Sequence, residues 1–429
     1  MTKTQTIQWA PFSDKHKEYI AEAFRCGMSV AEGAVRSGKT IDNCIIASMF
    51  LELCPDKFHL ATGSTVANAK LNIGVCNGYG LEALFRGRCR WGKYRDNEVL
   101  FIQTKTGEKI VIFSGGGKAD SYKSILGNSY GLWIATEINE HFDSEDSRTS
   151  FVKVALGRQL AAKKAMVLWD LNPCNPKHRI YADYIDKYQE SGLPGGYQYQ
   201  LFTIYDNLSI SPERMQEILA KYVPGTVWHA RDILGKRCVA EGLVYQAFAD
   251  AEKSFFVTKA DYDYINIGVD VGGNKSYHSF VATGLKHNNS KVTALASARP
   301  PAKGTTPEDF YKAFDDFLKL VYANYGQVDT VFFESAEQVL KNGITQRQPG
   351  LNIANSIKNV IIERIRKENE LIAQHRLYYT VHADTVREAL AEAMWNPKEL
   401  DDVRLDDGTT DIDTLDAFEY SWEKNIRYL

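Results

Sequence analysis

Residues 32–40 read Glu32-Gly33-Ala34-Val35-Arg36-Ser37-Gly38-Lys39-Thr40. From Gly33 onward they satisfy every fixed position of the phosphate-cradling pattern G-x-x-x-x-G-K-[ST]. The chemistry explains the spacing. Glycines let the backbone wrap closely around a phosphate, and successive N–H groups, those of Ser37 and Gly38 among them, face inward as an anion-binding nest. Lys39 has the reach for the β- and γ-phosphates, and the Thr40 hydroxyl can hold the Mg²⁺ that bridges them. The next ten residues, Ile41-Asp42-Asn43-Cys44-Ile45-Ile46-Ala47-Ser48-Met49-Phe50, place apolar side chains at i, i+3 and i+4, which predicts a helix running out of the loop. The expectation is an ATP site.

Upstream, Trp9-Ala10-Pro11-Phe12 followed by Ser13-Asp14-Lys15-His16-Lys17-Glu18-Tyr19-Ile20 predicts a turn, an N-cap and a helix. That helix is either a wall beside the adenine or simply the first helix of the fold. Downstream, Lys57-Phe58-His59-Leu60-Ala61-Thr62-Gly63 predicts a short buried strand. Arg86-Gly87-Arg88-Cys89-Arg90-Trp91-Gly92-Lys93-Tyr94-Arg95 holds five basic residues in ten, with aromatics between them. Phosphate contact with occasional base stacking uses this composition, and so does a solvated loop. A hairpin is expected over 98–113, turning at Lys105-Thr106-Gly107-Glu108.

Gly131-Leu132-Trp133-Ile134-Ala135-Thr136-Glu137 is an apolar strand ending in a carboxylate. In P-loop ATPases such a strand ends beside the γ-phosphate with one acid that orients Mg²⁺ and a second that activates water. Here Glu137 can serve as the base, or merely end a strand, and Thr136 stands where Asp is usual. An Asp introduced at 136 is expected to be tolerated. Ala165-Met166-Val167-Leu168-Trp169-Asp170-Leu171-Asn172-Pro173 is a further buried strand. Its Asn172 falls at the carboxyl edge of the sheet, where open α/β sheets bind ligands, and its Asp170 is a candidate acid near Thr136. Strands alternating with helices predict a mainly parallel sheet covered on its faces.

The second half changes pattern. Tyr264-Ile265-Asn266-Ile267-Gly268-Val269-Asp270-Val271-Gly272-Gly273 is a strand with Asp270 near its end, and residues 279–285 follow at hairpin distance. Thr330-Val331-Phe332-Phe333-Glu334-Ser335 again ends in a carboxylate. Helices are expected over about 355–369 and 384–395, and the tail carries Asp411, Asp413 and Asp416. Acids on separate strand ends and a helix can converge on Mg²⁺ or Mn²⁺, and two such ions can clamp the oxygens of a phosphodiester, the plan of an RNase H-like nuclease. Singly, Asp270 could be a turn former, Glu334 a surface charge, and Asp413 with Asp416 an N-cap cluster.

The chain has 429 residues, 44% hydrophobic and 24% charged, with net charge −3. This length predicts two domains, and the charge balance argues against a uniformly basic DNA-coating protein but not against a local basic track. No apolar run approaches a membrane span, and Met1-Thr2-Lys3-Thr4-Gln5-Thr6 lacks a signal-peptide core. Seven cysteines without a C-x-x-C pair predict reduced thiols rather than zinc or disulfides.

The order of these motifs resembles that of the large terminase subunit of tailed bacteriophages, the DNA-packaging motor. The resemblance runs from residues 33–40 through 133–137, Asn172-Pro173, Tyr205-Asp206-Asn207, Leu234-Gly235, Glu241-Gly242-Leu243-Val244-Tyr245 and 268–272 to Asp413-Thr414-Leu415-Asp416-Ala417. It implies an α/β chain with an N-terminal P-loop ATPase (1–245), a linker (246–263) and a C-terminal RNase H-like nuclease (264–429), so that a fragment starting near Asp261 would cut DNA. It implies ATP-driven movement of double-stranded DNA through a portal into a procapsid, and cutting of concatemeric DNA. The implied partners are a small terminase subunit and a homo-oligomeric, usually pentameric, ring on the portal (with a monomer in solution), in the cytoplasm of an infected bacterium. By position, Gly33, Ser37, Gly38, Lys39 and Thr40 resemble the nucleotide contacts and Arg36 a γ-phosphate sensor. Glu137 resembles the catalytic base and Asn172 part of a coupling motif. Asp270, Glu334 and Asp416 resemble the nuclease metal ligands. Asp413 stands where relatives often have His, and as an acid it could bind metal. The rival readings are a P-loop helicase or translocase without nuclease chemistry, and a nucleotide-gated assembly protein.

Overall fold

A computed structural model describes residues 9, 11–273, 277–334, 337–399 and 401–429; the leader reading of residues 1–6 and the end of the strand reading at Ser335 lie outside them. The chain forms two compact units.

The first unit comprises Met1–Met215 with His229–Val239. Its strands are β1 (Met28–Gly33), β2 (Phe58–Gly63), β3 (Cys89–Tyr94), β4 (Asn97–Thr104), β5 (Gly107–Gly115), β6 (Leu132–Ala135), β7 (Met166–Leu171) and β8 (Tyr197–Phe202). They form one sheet in the order β3-β4-β5-β2-β6-β7-β1-β8. The six strands from β5 to β8 in that order are parallel, and β4 and β3 add antiparallel at one edge. Strands β1, β6 and β7 are buried along their whole length, as expected for apolar runs covered on both faces. One face packs Phe50, Leu51 and Ala47 of helix Lys39–Leu53; the other packs Trp133, Trp169 and Tyr181. The expected hairpin is β4–β5, with Thr104 paired to Gly107. The basic stretch 86–95, left open as a contact track or a solvated loop, forms edge strand β3 and its flanks.

The second unit comprises Gln216–Trp228 with Ala240–Leu429. Its strands are β9 (Tyr264–Asp270), β10 (Ser279–Leu285), β11 (Val292–Ala298), β12 (Thr330–Phe333), β13 (Ile353–Asn355) and β14 (Leu377–His382), in the order β13-β12-β9-β10-β11-β14. The sheet is mixed: β10 lies antiparallel between β9 and β11, whereas β12 is parallel to β9. This is an RNase H-like arrangement. Helix Ile412–Trp422 lies directly on β9. A Cβ at Gly268 would stand 1.8 Å from the Ala417 carbonyl oxygen, so no other residue fits there.

Three expectations are revised. Residues 246–263 are not a tether: Gln246–Asp250 is helical, and Phe248 and Phe255 are fully or nearly fully buried with Tyr245 in the second unit's core. Bulky buried aromatics make this segment part of a core. A fragment starting near Asp261 would lack them, so the second unit has to be produced with 216–228 and 240–263. The helix expected from about 355 starts at Ile361, because Ile353–Asn355 pairs with β12. The helix expected to reach 395 ends at Glu392, and Trp395 instead bridges Arg404.

Candidate active sites

In the first unit, β1 ends at Gly33 and the chain turns through 34–38 into helix Lys39–Leu53. Arg36 and Gly38 take φ of 61° and 100°. A non-glycine residue in the left-handed region costs roughly 1–3 kcal/mol, and such strain clusters at ligand-binding loops. The Arg36 side chain is exposed, and its carbonyl accepts from Asn207 Nδ2 at 2.7 Å. The Lys39 ammonium is buried and donates to the carbonyls of Gly33 (2.8 Å) and Ala34 (2.7 Å), to Ser37 Oγ (3.3 Å) and to Asn172 Oδ1 (3.2 Å). Burial pulls its pKa down to about 8, against the opposing charges of Asp170, Glu32, Asp232 and Glu137.

The neighbouring strand ends converge on this lysine. Because β6 and β7 run parallel with Ala135 opposite Trp169, Thr136 falls beside Asp170. The Thr136 hydroxyl donates to Asp170 Oδ1 at 3.0 Å, and the Glu137 amide to the same oxygen at 3.3 Å. Glu137 sits at φ 52°, half-buried. Burial raises its pKa, with Asp170 and Glu140 adding to the rise and Lys39 opposing it. A carboxylate held basic beside a buried lysine is suited to take a proton.

Trp9, Phe12, His16, Tyr79 and Asn207 line a cleft that opens beside Gly38. Trp9 and Tyr79 pack with ring centroids 5.2 Å apart. The first helix, Asp14–Glu22, capped by Ser13 as expected, therefore contributes a wall next to the loop. His16 stacks on Phe202 (centroids 4.5 Å) and bonds the buried Asp42.

Behind the loop, Glu32 is fully buried. It accepts from Tyr181 (2.7 Å), Tyr199 (2.8 Å) and Arg237, whose Nη2 stands at 2.8 Å. Sequence reasoning passed over this network. Its signal was a charged residue ending the apolar run Val30-Ala31, a position that tolerates a carboxylate only when every oxygen is bonded.

In the second unit, Asp270 ends β9 and Glu334 follows β12, whose Phe333 pairs with Val269. The two acids thus leave adjacent parallel strands side by side. Asp413 and Asp416 lie on helix Ile412–Trp422, which Asp411 caps by accepting from the Thr414 amide at 3.0 Å. Burial of Asp270, followed by the charges of Asp416, Asp413 and Glu334, pushes its pKa up to about 8, against Lys358. The other three predicted acids therefore all bear on Asp270.

Cations and amides hold the other three. Glu334 pairs with Lys358. Asp416 Oδ1 accepts from Arg404 (3.2 Å) and Arg364 (3.4 Å), and Asp413 accepts from the Tyr277 amide at 2.9 Å. Arg364 and Arg404 also clamp the buried Glu419. Among the described residues, no three His, Cys, Asp or Glu side chains form a ready-made metal-binding group. The donor set fits a hard divalent cation nonetheless, since mutually repelling carboxylates around a buried one lose that penalty when a cation joins them. Sequence reasoning found the acids but missed Lys358, Arg364 and Arg404, which come from a loop, a helix and an irregular segment with no spacing of their own.

The fold class is thus a P-loop-type unit built on a mainly parallel sheet and an RNase H-like unit built on a mixed one. The whole chain has the fold of the large terminase from a thermophilic bacteriophage, with TM-score 0.75 and 20% identity over 96% of this chain and 98% of that one. The complexes of that terminase with ADP (TM-score 0.73, 20% identity) and ATP-γ-S (0.71, 19% identity) each match over 95% of this chain and 98% of theirs. No protein-family model and no curated protein matches the chain. No helix among the described residues is long and apolar enough to cross a membrane.

Proposed function

We propose that this chain is a large terminase: an ATPase that drives double-stranded viral DNA into a procapsid and a metal-dependent endonuclease that cuts concatemeric DNA. The observation that carries the reading is the pairing of two sites in one chain, Lys39 facing Asn172 and Glu137 in the first unit and acids converging on Asp270 in the second. Structural neighbours of the same architecture, crystallised with ADP and ATP-γ-S, support the nucleotide assignment.

In the first site, the loop amides of 33–38 bind phosphate. Lys39 exchanges its carbonyl partners for the β- and γ-phosphate oxygens, and Arg36 approaches the γ-phosphate. Glu137 orients the attacking water and takes its proton. Asn172, on Lys39, reports the phosphate state to β7. Thr40 would hold Mg²⁺, which neutralises charge developing on the phosphates when bound. In the second site, Asp270, Glu334 and Asp416, with Asp413, would hold Mg²⁺ or Mn²⁺, whose chemistry is to activate water and stabilise the leaving oxygen of a phosphodiester. The protein's part is to place these carboxylates from two strand ends and a helix, while Lys358, Arg364 and Arg404 hold them. The partners of this reading are double-stranded DNA, the portal of a procapsid, a small terminase subunit and a homo-oligomeric, pentameric ring, in the cytoplasm of an infected bacterium.

ATPase and plasmid-cleavage assays on the full chain and on Lys39→Ala test the reading. Wild type should do both, and Lys39→Ala should lose ATP turnover while still nicking DNA. ATP turnover without metal-dependent cutting would leave the helicase or translocase reading standing instead.

The edge strand β3 supplies a DNA track in this reading. Arg86, Arg88, Arg90, Lys93 and Arg95 are all exposed. The Arg90 guanidinium lies 4.0 Å from the Phe101 ring centroid, whereas Arg88 is drawn to Glu52 at 2.7 Å. Neutralising Arg88, Arg90 and Lys93 together should weaken DNA binding and flatten its dependence on log salt by up to about one per lost phosphate contact. An unchanged slope would make these charges guards of a sheet edge.

A further inference from the structure

An acid is missing from one strand and present on the next. The β6 end offers Thr136, which brings a hydroxyl but no charge. On β7, Asp170 is 3% exposed. Its Oδ1 is held by the Thr136 hydroxyl and the Glu137 amide, whereas its Oδ2 is buried without a hydrogen-bond partner. An orphaned buried carboxylate oxygen is costly, and such groups mark places where an ion or water is to be bound. Two neighbours fix which ligand. The Thr40 hydroxyl acts on the same carboxylate, as does the charge of Lys39. Asn172, two residues further on and just past the end of β7, accepts from Lys39. Asp170 thus stands among the Mg²⁺-side hydroxyl, the phosphate-side lysine and the candidate base.

We propose that Asp170 is the acid of the nucleotide's Mg²⁺ site, supplied from β7 instead of β6, with Thr136 as the residue that positions it. This rests on the nucleotide reading of the first unit. Oδ2 would be the oxygen that serves the ion, while Thr136 and the Glu137 amide fix the plane of the carboxylate through Oδ1. The same bonds tie the acid to the backbone of the base, so the two are aligned as a unit. A consequence reverses the expectation from sequence. An Asp placed at 136 puts a second carboxylate within bonding distance of the first, so Thr136→Asp alone is expected to be harmful.

The test measures binding, not turnover. A fluorescent ATP-γ-S analogue is titrated into the full chain with EDTA and with rising Mg²⁺, for wild type, Asp170→Asn, Thr136→Asp and the double variant Thr136→Asp/Asp170→Asn. Wild type should bind more tightly with Mg²⁺. Asp170→Asn should bind the metal-free analogue more tightly, having lost a negative charge, and lose roughly tenfold or more of the Mg²⁺ gain. The double variant returns the acid to the usual strand and should regain the Mg²⁺ response. A wild-type Mg²⁺ response in Asp170→Asn overturns the proposal. If Asp170→Asn does not fold, the double variant decides: a folded double variant without Mg²⁺ response overturns it, and one with the response supports it. Wild type that binds no nucleotide at any Mg²⁺ level overturns the nucleotide reading itself, and the proposal with it.

Discussion

Asp270→Asn should abolish DNA cutting, leave ATP turnover largely intact, and make the protein more stable in EDTA. The first two effects follow from the division of labour between units. The third follows from the environment of Asp270, which is 8% exposed and faces three other acids. An acid whose pKa rises to about 8 on folding, from an ordinary 3.8, binds its proton more tightly in the folded state. Its contribution to stability therefore falls as pH rises from about 4 to 8 and stays low above that. Asparagine carries no such charge, so the variant's advantage should be small at pH 4.5 and on the order of 5 kcal/mol at pH 8, taking about 1.4 kcal/mol per unit over about four units. Thermal melts in EDTA at the two pH values measure it. Added Mn²⁺ should raise the melting temperature of wild type much more than that of the variant. A variant that cuts like wild type would remove Asp270 from the nuclease site. One that shows no pH-dependent advantage would mean that the acids do not crowd one another in solution.

Glu137→Gln should bind ATP and lose most of its turnover, since help from a general base is typically worth about 10²–10⁴-fold. The substituted glutamine would keep the shape and the backbone bond to Asp170 but could not accept a proton. Thr136→Ala should be milder. It removes a bond that positions Asp170 but not the Glu137 amide that holds the same oxygen. Steady-state ATPase with DNA and procapsids present is the measurement. Near-normal turnover in Glu137→Gln would transfer the base role to another acid near the loop, with Glu140 the first to try.

Much of this was legible in the sequence because it is encoded locally. The P-loop is a contiguous pattern, and the strand carrying Glu137 ends where its apolar run ends. Asp270 and Glu334 were found the same way, as carboxylates closing buried strands. What was hidden depends on register between distant segments. Nothing in residues 131–137 says that Thr136 will face Asp170, because that follows from the parallel pairing of β6 with β7. Arg364 and Arg404 reach Asp416 from segments 52 and 12 residues away. The misplaced border has another origin: Ala249-Asp250-Ala251-Glu252-Lys253 is polar enough to look like a tether, but the aromatics on either side, Phe248 and Phe255, stack with centroids 5.1 Å apart and are buried. Polarity at the surface of a short helix is the same signal as polarity in a linker, and aromatic spacing around it is what separates them.

The bare backbone at Gly268 sets a ruler for the second site. Asp270 follows it by two residues on β9, and Asp416 precedes the Ala417 carbonyl that seats on it. The span between those two acids is therefore gauged by backbone against backbone, with no side chain in between to flex. A single methyl at 268 would lever the helix outward and carry Asp416 away from Asp270, although residue 268 is neither acid.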